Sequence, residues 1–250
     1  MGRGPTPGGV ARYLRQQGEL GGDRLFLDDL TRAEVMELAA SGKGRARQAE
    51  RSFLSGQKGA EPPAPVSQNY EALKNEALAC RRCALAKTRT KVVFSDGHPG
   101  ARVMVVGEAP GAQEDKTGLA FVGPAGKLLD LLLASVGLSR ASTAYICNVL
   151  KCRPPGNRNP LLGEIQDCTP FLRRQIEVIS PEVILAVGTF SGQFLTGESV
   201  PLGRLRGEVY SYQGVPLVVT YHPAALLRNP GWTRATWDDL QLLRQVMDGP

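Results

Sequence analysis

Four short apolar segments recur between residues 102 and 220, and each has the length of a buried β-strand. These segments are residues 102–106, 144–149, 182–187 and 215–220. Segments with helical periodicity lie between or after them, at residues 125–137, 163–179, 188–197 and 237–248. Strands that alternate with helices along a chain predict an α/β fold with a mainly parallel sheet.

The first 68 residues have a different composition, rich in glycine, arginine, glutamine and proline. Residues 1–60 carry ten Lys and Arg residues against seven Asp and Glu residues. One short helix with a capping-box sequence at its start is predicted at residues 31–41. We interpret residues 1–68 as a flexible, basic extension, either a solvated tail or an arm that touches DNA or a partner. The folded domain is predicted to cover residues 69–250.

The composition excludes one class of protein and leaves several open. Hydrophobic residues make up 42% of the 250 residues, which is enough for one good core. No stretch approaches the roughly 18 uninterrupted apolar residues of a membrane-spanning helix, and the N-terminus lacks the apolar segment of a secretory signal. We therefore expect a cytoplasmic protein. The net charge of +6 suits a polyanionic partner but does not identify a chemistry.

Three polar side chains lie at the carboxyl ends of predicted strands. Glu108 follows the first strand within GEAPG, Asn148 ends the second, and His222 follows the fourth. Ligands of open α/β sheets bind beyond this edge, so we expect a carboxylate, an amide and an imidazole to converge there. The glycine and proline residues around Glu108 suit a rigid turn that holds the carboxylate toward a ligand.

A nucleotide-binding loop is not indicated by the sequence. The segment GLAFVGPAGKLL contains Gly-Lys, but Phe121 stands where a phosphate loop needs glycine and Leu128 stands where it needs Ser or Thr. No strand is followed by the glycine pattern of a dinucleotide site.

Five cysteines are present, and an odd number in a cytoplasmic chain argues against a disulfide framework. Cys80 and Cys83 are separated by two residues, and Cys152 and Cys168 by fifteen. Four thiolates brought together can hold either zinc or an iron–sulfur cluster, and the long second spacing fits two-pair structural zinc less well. The fifth, Cys147, lies on an apolar strand and is interpreted as a core residue.

Three blocks of sequence together resemble the family 4 uracil-DNA glycosylases, the iron–sulfur branch. They are GEAPGAQEDKTGLAFVGPAGKLLD, NVLKCRPPGNRNP and YHPAALLRNP, and the similarity covers roughly residues 70–245. The resemblance implies a three-layer α/β/α fold with a four-stranded sheet. It implies a base-excision-repair hydrolase that removes uracil from DNA and leaves an abasic site. It also implies a [4Fe–4S] cluster, whose ligands would be Cys80, Cys83, Cys152 and Cys168.

The resemblance also implies roles for individual residues of the site. Phe121 would stack on the uracil ring, Asn148 would read its polar edge, and His222 would face its O2 atom. The remaining candidates belong to the first motif: Glu108 and Glu114 as its acidic groups, and Gly107 and Ala109 as substrate-binding residues. The residues expected to be catalytic are Glu108, Glu114 and His222. Leu226, Leu227 and Arg228 resemble the loop that enters the minor groove, which makes them candidates for a wedge. The implied partner is uracil-containing DNA of the nucleoid, bound by a monomer.

Three positions depart from related patterns. Ala120 replaces a proline usual in the family, which predicts a looser loop around Phe121. Ala109 stands where the most familiar uracil glycosylases have an aspartate. The loop KCRPPGNRNP has no histidine, so we do not expect the covalent trapping of a related branch. Two alternatives stay open: a non-catalytic or covalently trapping uracil-DNA-binding module, and a zinc-bearing α/β hydrolase that acts on nucleotides.

Overall fold

A computed structural model of the chain describes residues 68–249. The helix expected at residues 31–41, and almost all of the N-terminal extension, lie outside the described residues. None of the helices within 68–249 combines the length and the apolar character that crossing a membrane requires.

The described residues form one six-stranded mixed sheet in the order β1-β3-β2-β4-β6-β5. The strands are β1 (Asp96–Gly97), β2 (Val103–Gly107), β3 (Ala144–Asn148), β4 (Val183–Val187), β5 (Val209–Tyr212) and β6 (Val215–Thr220). The four central strands β3, β2, β4 and β6 run parallel, and they coincide with the four apolar segments of the sequence. Apart from the first two residues of β6, every residue in them is buried, as expected for a parallel sheet covered on both faces.

The expected count of four strands was wrong, because two antiparallel edge strands extend the sheet. The strand β1 has only two residues, Asp96 and Gly97, and therefore carries no hydrophobic period. The strand β5 pairs with β6 through a tight turn in which Gln213 and Gly214 both have positive φ, 52° and 83°. Such a turn suits a two-residue hairpin. The edge strands escaped prediction because neither contains an apolar run.

Helices cover both faces of the sheet and give the predicted three-layer α/β/α architecture. They are α1 (Gln68–Ala79), α2 (Ala112–Thr117), α3 (Pro124–Ser135), α4 (Leu162–Ile179), α5 (Thr189–Thr196), α6 (Leu202–Leu205), α7 (Pro223–Arg228) and α8 (Thr233–Asp248). Alternate strand residues feed two cores: Met104 and Val106 pack with α1, α4 and α5, whereas Val103 and Val105 pack with α3 and α8. Because β3, β2, β4 and β6 run in the same direction, their carboxyl ends lie together at one edge of the sheet.

Candidate active site

The carboxyl ends of the parallel strands open into a cleft of about 620 Å³. Its lining includes Glu108 directly after β2, Ala109 beside it, and His222 just after β6. The structure therefore brings the carboxylate and the imidazole predicted from the sequence to one cavity. The cleft is large enough for a small planar ligand together with part of a larger molecule.

Asn148, Gly107 and Phe121 form a second part of the site, which adjoins the cleft through the contact between Phe121 and His222. A Cβ atom built on Gly107 would lie 2.4 Å from Asn148 Oδ1 and 2.7 Å from Phe121 Cζ. The amide and the aromatic ring thus both lie against the backbone of Gly107, where any larger residue would clash with them. Asn148 is 2% exposed, and its Oδ1 atom has no hydrogen-bond partner among the described residues. A buried acceptor without a partner is costly, which makes it a candidate contact for a ligand donor.

Phe121 connects the two parts of the site. Its ring stacks on the His222 imidazole, with 5.5 Å between the ring centroids and an interplanar angle of 28°. Its backbone has φ 54°, an uncommon conformation for a bulky residue. Arg140 holds the loop by donating 2.8 Å hydrogen bonds to the carbonyl oxygens of Ala120 and Phe121. A Cβ on Gly126 would lie only 1.7 Å from the Phe121 carbonyl oxygen, so the loop also needs glycine beneath it.

Glu114 faces the same loop and not the cleft. Its Oε1 atom accepts hydrogen bonds from the backbone N–H groups of Val122 (2.9 Å) and Gly123 (3.1 Å). These contacts make Glu114 a support for the loop that carries Phe121. Arg140 and the supporting role of Glu114 both escaped prediction. No spacing in the sequence links Arg140 to Phe121. The hydrogen bonds of Arg140 and Glu114 to this loop use backbone C=O and N–H groups, and because every residue type there, Ala120 included, offers a backbone C=O, the sequence does not mark them.

His222 is a neutral hydrogen-bond donor by its surroundings. Its Nδ1 atom accepts a 3.1 Å hydrogen bond from the N–H of Ala224, at the start of α7. The remaining ring nitrogen, Nε2, therefore carries the proton of the neutral form. Burial, assisted by the positive charge of Arg228, lowers the pKa of His222 to about 4.

Glu108 has an environment that opposes its charge. The carboxyl group is half-buried in the lining of the cleft, and this burial raises its pKa above the ordinary glutamate value. Glu108 is part of the cavity lining, where a positively charged ligand group would stabilise the carboxylate.

The predicted wedge residues are divided by the helix α7. Leu226 is 2% exposed and packs in the core beside α3, so its assignment to the wedge was wrong. Leu227 is 51% exposed, and Arg228 is exposed at the rim of the cleft. Successive residues of a helix point in directions about 100° apart, which explains why one leucine is buried and the next is free.

The four paired cysteines line one small cavity between α1 and α4: Cys80, Cys83, Cys152 and Cys168. Arg89 donates a 3.2 Å hydrogen bond to Cys152 Sγ, and the backbone N–H of Lys151 donates one of 3.1 Å to Cys168 Sγ. Burial raises the pKa of the Cys168 thiol to about 11, so the proton must leave when a metal centre binds. Cys147 is fully buried on β3, which confirms its interpretation as a core residue.

The spacing of these thiols bears on which metal centre they fit. Within residues 68–249, no three His, Cys, Asp or Glu groups converge closely enough to hold a single metal ion. A tetrahedral zinc site would need sulfur atoms only about 3.8 Å apart, from its Zn–S bond length. A [4Fe–4S] cluster binds each thiolate through a different iron atom and so fits sulfur atoms that lie farther apart. The shared cavity, whose lining also includes the positive charges of Arg89 and Lys151, therefore suits a negatively charged centre bound by thiolates.

Comparison with known proteins assigns the family. A family model described as the uracil DNA glycosylase superfamily matches residues 94–241, which is more than half of the chain. The chain belongs to this superfamily. The matched range contains the whole parallel sheet, both parts of the site and two of the four paired cysteines, Cys152 and Cys168.

Similar proteins place the chain in the type-4 branch of the uracil-DNA glycosylases. It is 41% identical to the type-4 uracil-DNA glycosylase of Sulfurisphaera tokodaii, over 73% of this chain and 86% of that protein. It is 43% identical to the enzyme of that name from Archaeoglobus fulgidus, over 65% and 85%. For the Thermotoga maritima protein the identity is 45%, over 64% and 83%. The resemblance inferred from three sequence blocks is confirmed.

We predict that the imidazole of His222 stays neutral, with its proton on Nε2, from about pH 8 down to about pH 5. The chain has only two histidines, so His98→Gln leaves His222 as its single imidazole. Nitrogen-15 NMR of this variant then measures the protonation of His222 directly. The unfolded chain binds this proton near pH 6.5 and the folded chain near pH 4, so the free energy of unfolding should fall as pH drops between these values. A titration midpoint at or above 6.5 would contradict the burial argument.

Proposed function

We propose that this chain is a monofunctional uracil-DNA glycosylase, which hydrolyses the N-glycosidic bond of uracil in DNA and leaves an abasic site for base excision repair. The observation that carries the proposal is the buried, unpartnered Asn148 Oδ1 atom. It lies close to Gly107 and Phe121, and the Phe121 ring contacts His222 in a cleft that Glu108 also lines. The type-4 relatives are named as uracil-DNA glycosylases, which supports the same activity.

Asn148 is proposed to select uracil by its polar edge. Its Oδ1 atom would accept a hydrogen bond from uracil N3–H, and its amide nitrogen would donate one to O4. Cytosine presents an acceptor at N3 and an amino group at C4, so both contacts would fail, and a buried polar group left unpaired rejects a ligand strongly. The ring of Phe121 would stack on the base, and Gly107, which has no side chain, lets Asn148 and Phe121 approach its backbone closely.

The base must leave the DNA stack before it can reach this site. Extrusion costs a few kcal/mol, and less where the base is mismatched. Leu227 is the exposed residue suited to fill the vacated space, since apolar side chains inserted between base steps stabilise such a distortion. Arg228 beside it would contact phosphate, which would make binding depend on salt.

The bond that breaks joins the sugar C1′ atom to uracil N1, and its electron pair leaves with the base. His222 would donate a hydrogen bond from Nε2 to uracil O2, where negative charge develops. The neutral state of the ring suits this role, since an imidazole that keeps its proton stabilises the anion without giving a proton away. Removal of one such donor typically lowers the rate about 10²- to 10³-fold.

Glu108 would act on the sugar side of the same bond. Its carboxylate would stabilise the positive charge that develops on the sugar or orient the attacking water, a contribution worth about 10²- to 10⁴-fold. Ala109 offers no acidic group for this step, and the carboxylate of Glu114 is engaged by the loop amides. We therefore propose Glu108 and His222 as catalytic residues and Glu114 as a positioning residue.

The four paired cysteines are proposed to hold a [4Fe–4S] cluster, in agreement with their shared cavity. The cluster would supply a structural tie between α1 and the loop after β3, and no proton transfer is assigned to it. Lysine is absent from the described lining of the cleft, so no Schiff base with the sugar is expected and strand cleavage should require added alkali. We further propose a cytoplasmic monomer that acts on DNA of the nucleoid.

The activity is tested with an oligonucleotide that contains one uracil. We predict alkali-labile sites only when the chain is present, and no adduct trapped by borohydride. Asn148→Ala should lower the single-turnover rate at least about 100-fold, because the base loses its polar contact. Asn69→Ala, the same change on the exposed surface of α1, should leave the rate unaltered. Tight binding of DNA without product, or excision unchanged by Asn148→Ala, would overturn the proposal.

The pH dependence tests the role of Glu108. Because burial raises the pKa of this carboxyl and the reaction needs its ionised form, the rate should fall on the acid side of neutrality, above the ordinary glutamate pKa. Glu108→Gln should lower the rate about 10²- to 10⁴-fold and abolish this limb. Glu198→Gln, at an exposed position, is the matched control. An acid limb that persists in Glu108→Gln would assign it to another group.

The metal centre is tested by iron analysis and visible absorbance, without any measurement of activity. Cys80→Ala should give a protein with markedly less iron and without the broad brown absorbance of a cluster, since one thiolate ligand is lost. Cys147→Ala should keep both, because that thiol lies in the core outside the cavity. A colourless native protein that contains zinc would rule out the cluster.

A further inference from the structure

A stack of two aromatic rings lies beside the catalytic histidine and has no role in the reaction described above. Trp232, in the turn that precedes α8, stacks on Tyr221, with 4.6 Å between the ring centroids and 15° between the planes. Tyr221 directly precedes His222 in the chain. The Trp232 side chain is 40% exposed although it is a large apolar group. An exposed indole supported from beneath is a ready surface for another flat ring.

The support is rigid because it continues into the protein interior. The Arg206 guanidinium lies 4.3 Å from the centroid of the Tyr221 ring. Arg206 donates a 2.7 Å hydrogen bond from Nε to Asp239, and a further one to the Ala235 carbonyl oxygen. Asp239 is buried and also accepts a 2.6 Å hydrogen bond from Thr220 at the end of β6. The position of the indole is thus fixed before any ligand arrives, which lowers the entropic cost of stacking on it.

The location of the stack indicates what would use it. Tyr221 and Trp232 line the same cleft as Glu108 and His222, and exposed Arg228 lies on its rim. If the cleft receives an extruded uridine, the nucleotides next to it in the strand must pass along this lining. A flat aromatic surface together with an arginine suits a nucleobase and its phosphate, whatever the base.

We propose that Trp232 is a stacking platform for an unpaired nucleobase next to the extruded uridine, and that it strengthens binding of single-stranded DNA. The proposal rests on the proposed function, since it takes uracil-containing DNA as the ligand of the cleft. A neighbouring base in a duplex remains paired and stacked in its helix, so it cannot use the platform. A neighbouring base in a single strand can, with a contact of the size that aromatic side chains give in single-strand-binding proteins.

Binding and chemistry are measured separately to test this. Affinity is measured by anisotropy with a labelled oligonucleotide that carries an uncleavable abasic analogue, single-stranded or in a duplex, and single-turnover excision gives the maximal rate. Trp232→Ala should weaken single-strand binding at least about fivefold, while duplex affinity and the maximal rate stay within about twofold. Trp232→Phe should restore most of the affinity, since it retains an aromatic face.

The chain offers a matched control in its other tryptophan. Trp237 on α8 is also 40% exposed, and a guanidinium, that of Arg234, lies 5.8 Å from its ring centroid, but it does not line the cleft. Trp237→Ala should leave every measurement unaltered. With Trp237→Phe, Trp232 is the single tryptophan of the chain, and its fluorescence should be quenched when single-stranded DNA binds.

Two binding results would overturn the platform. One is single-strand affinity that is the same in Trp232→Ala as in the native chain, and the other is an equal loss for the single strand and the duplex. A fall in the maximal rate without a loss of affinity would instead assign Trp232 to the chemical step and reject the platform. If Trp232→Ala weakens single-strand binding but the native chain releases no uracil, the platform stands and only the proposed function is rejected.

Discussion

The site depends on the register between two neighbouring parallel strands, in which Gly107 at the end of β2 lies opposite Asn148 at the end of β3. This pairing puts a residue without a side chain beside a buried amide and an aromatic ring. A slip of one residue would turn every side chain of the strand to the other face, so the two packed cores fix the register. The close approach of the amide and the ring to Gly107 is therefore a consequence of sheet packing.

Two further networks hold side chains against this frame. Arg140, Glu114 and the close approach of Gly126 stabilise the loop in which Phe121 has an unfavourable backbone conformation. On the other side, Lys151 is buried and donates a 2.6 Å hydrogen bond to the Asn148 carbonyl oxygen, while its backbone N–H binds Cys168 Sγ. The cysteine cavity is thus joined to the strand end that carries the amide.

The same physical cause, burial, acts on the two titratable groups of the cleft with different consequences. Removal of water disfavours the charged form of each, lowering the pKa of His222 and raising that of Glu108. For His222 the outcome suits a neutral donor. For Glu108, burial disfavours the ionised carboxylate. A positive charge that develops on a bound sugar would favour this ionised form. The carboxyl group is only partly buried and remains part of the lining of the cleft.

The sequence by itself determined the central strands, the polar residues at their ends and the set of four cysteines, because apolar runs and motif spacing are local signals. Only the tertiary structure decided which side chains support the site. Arg140 reaches the Phe121 loop from 19 residues away, Glu114 turns to loop amides, and Leu226 is buried while Leu227 is exposed. These outcomes depend on how distant elements pack together, and no pattern along the chain records that packing.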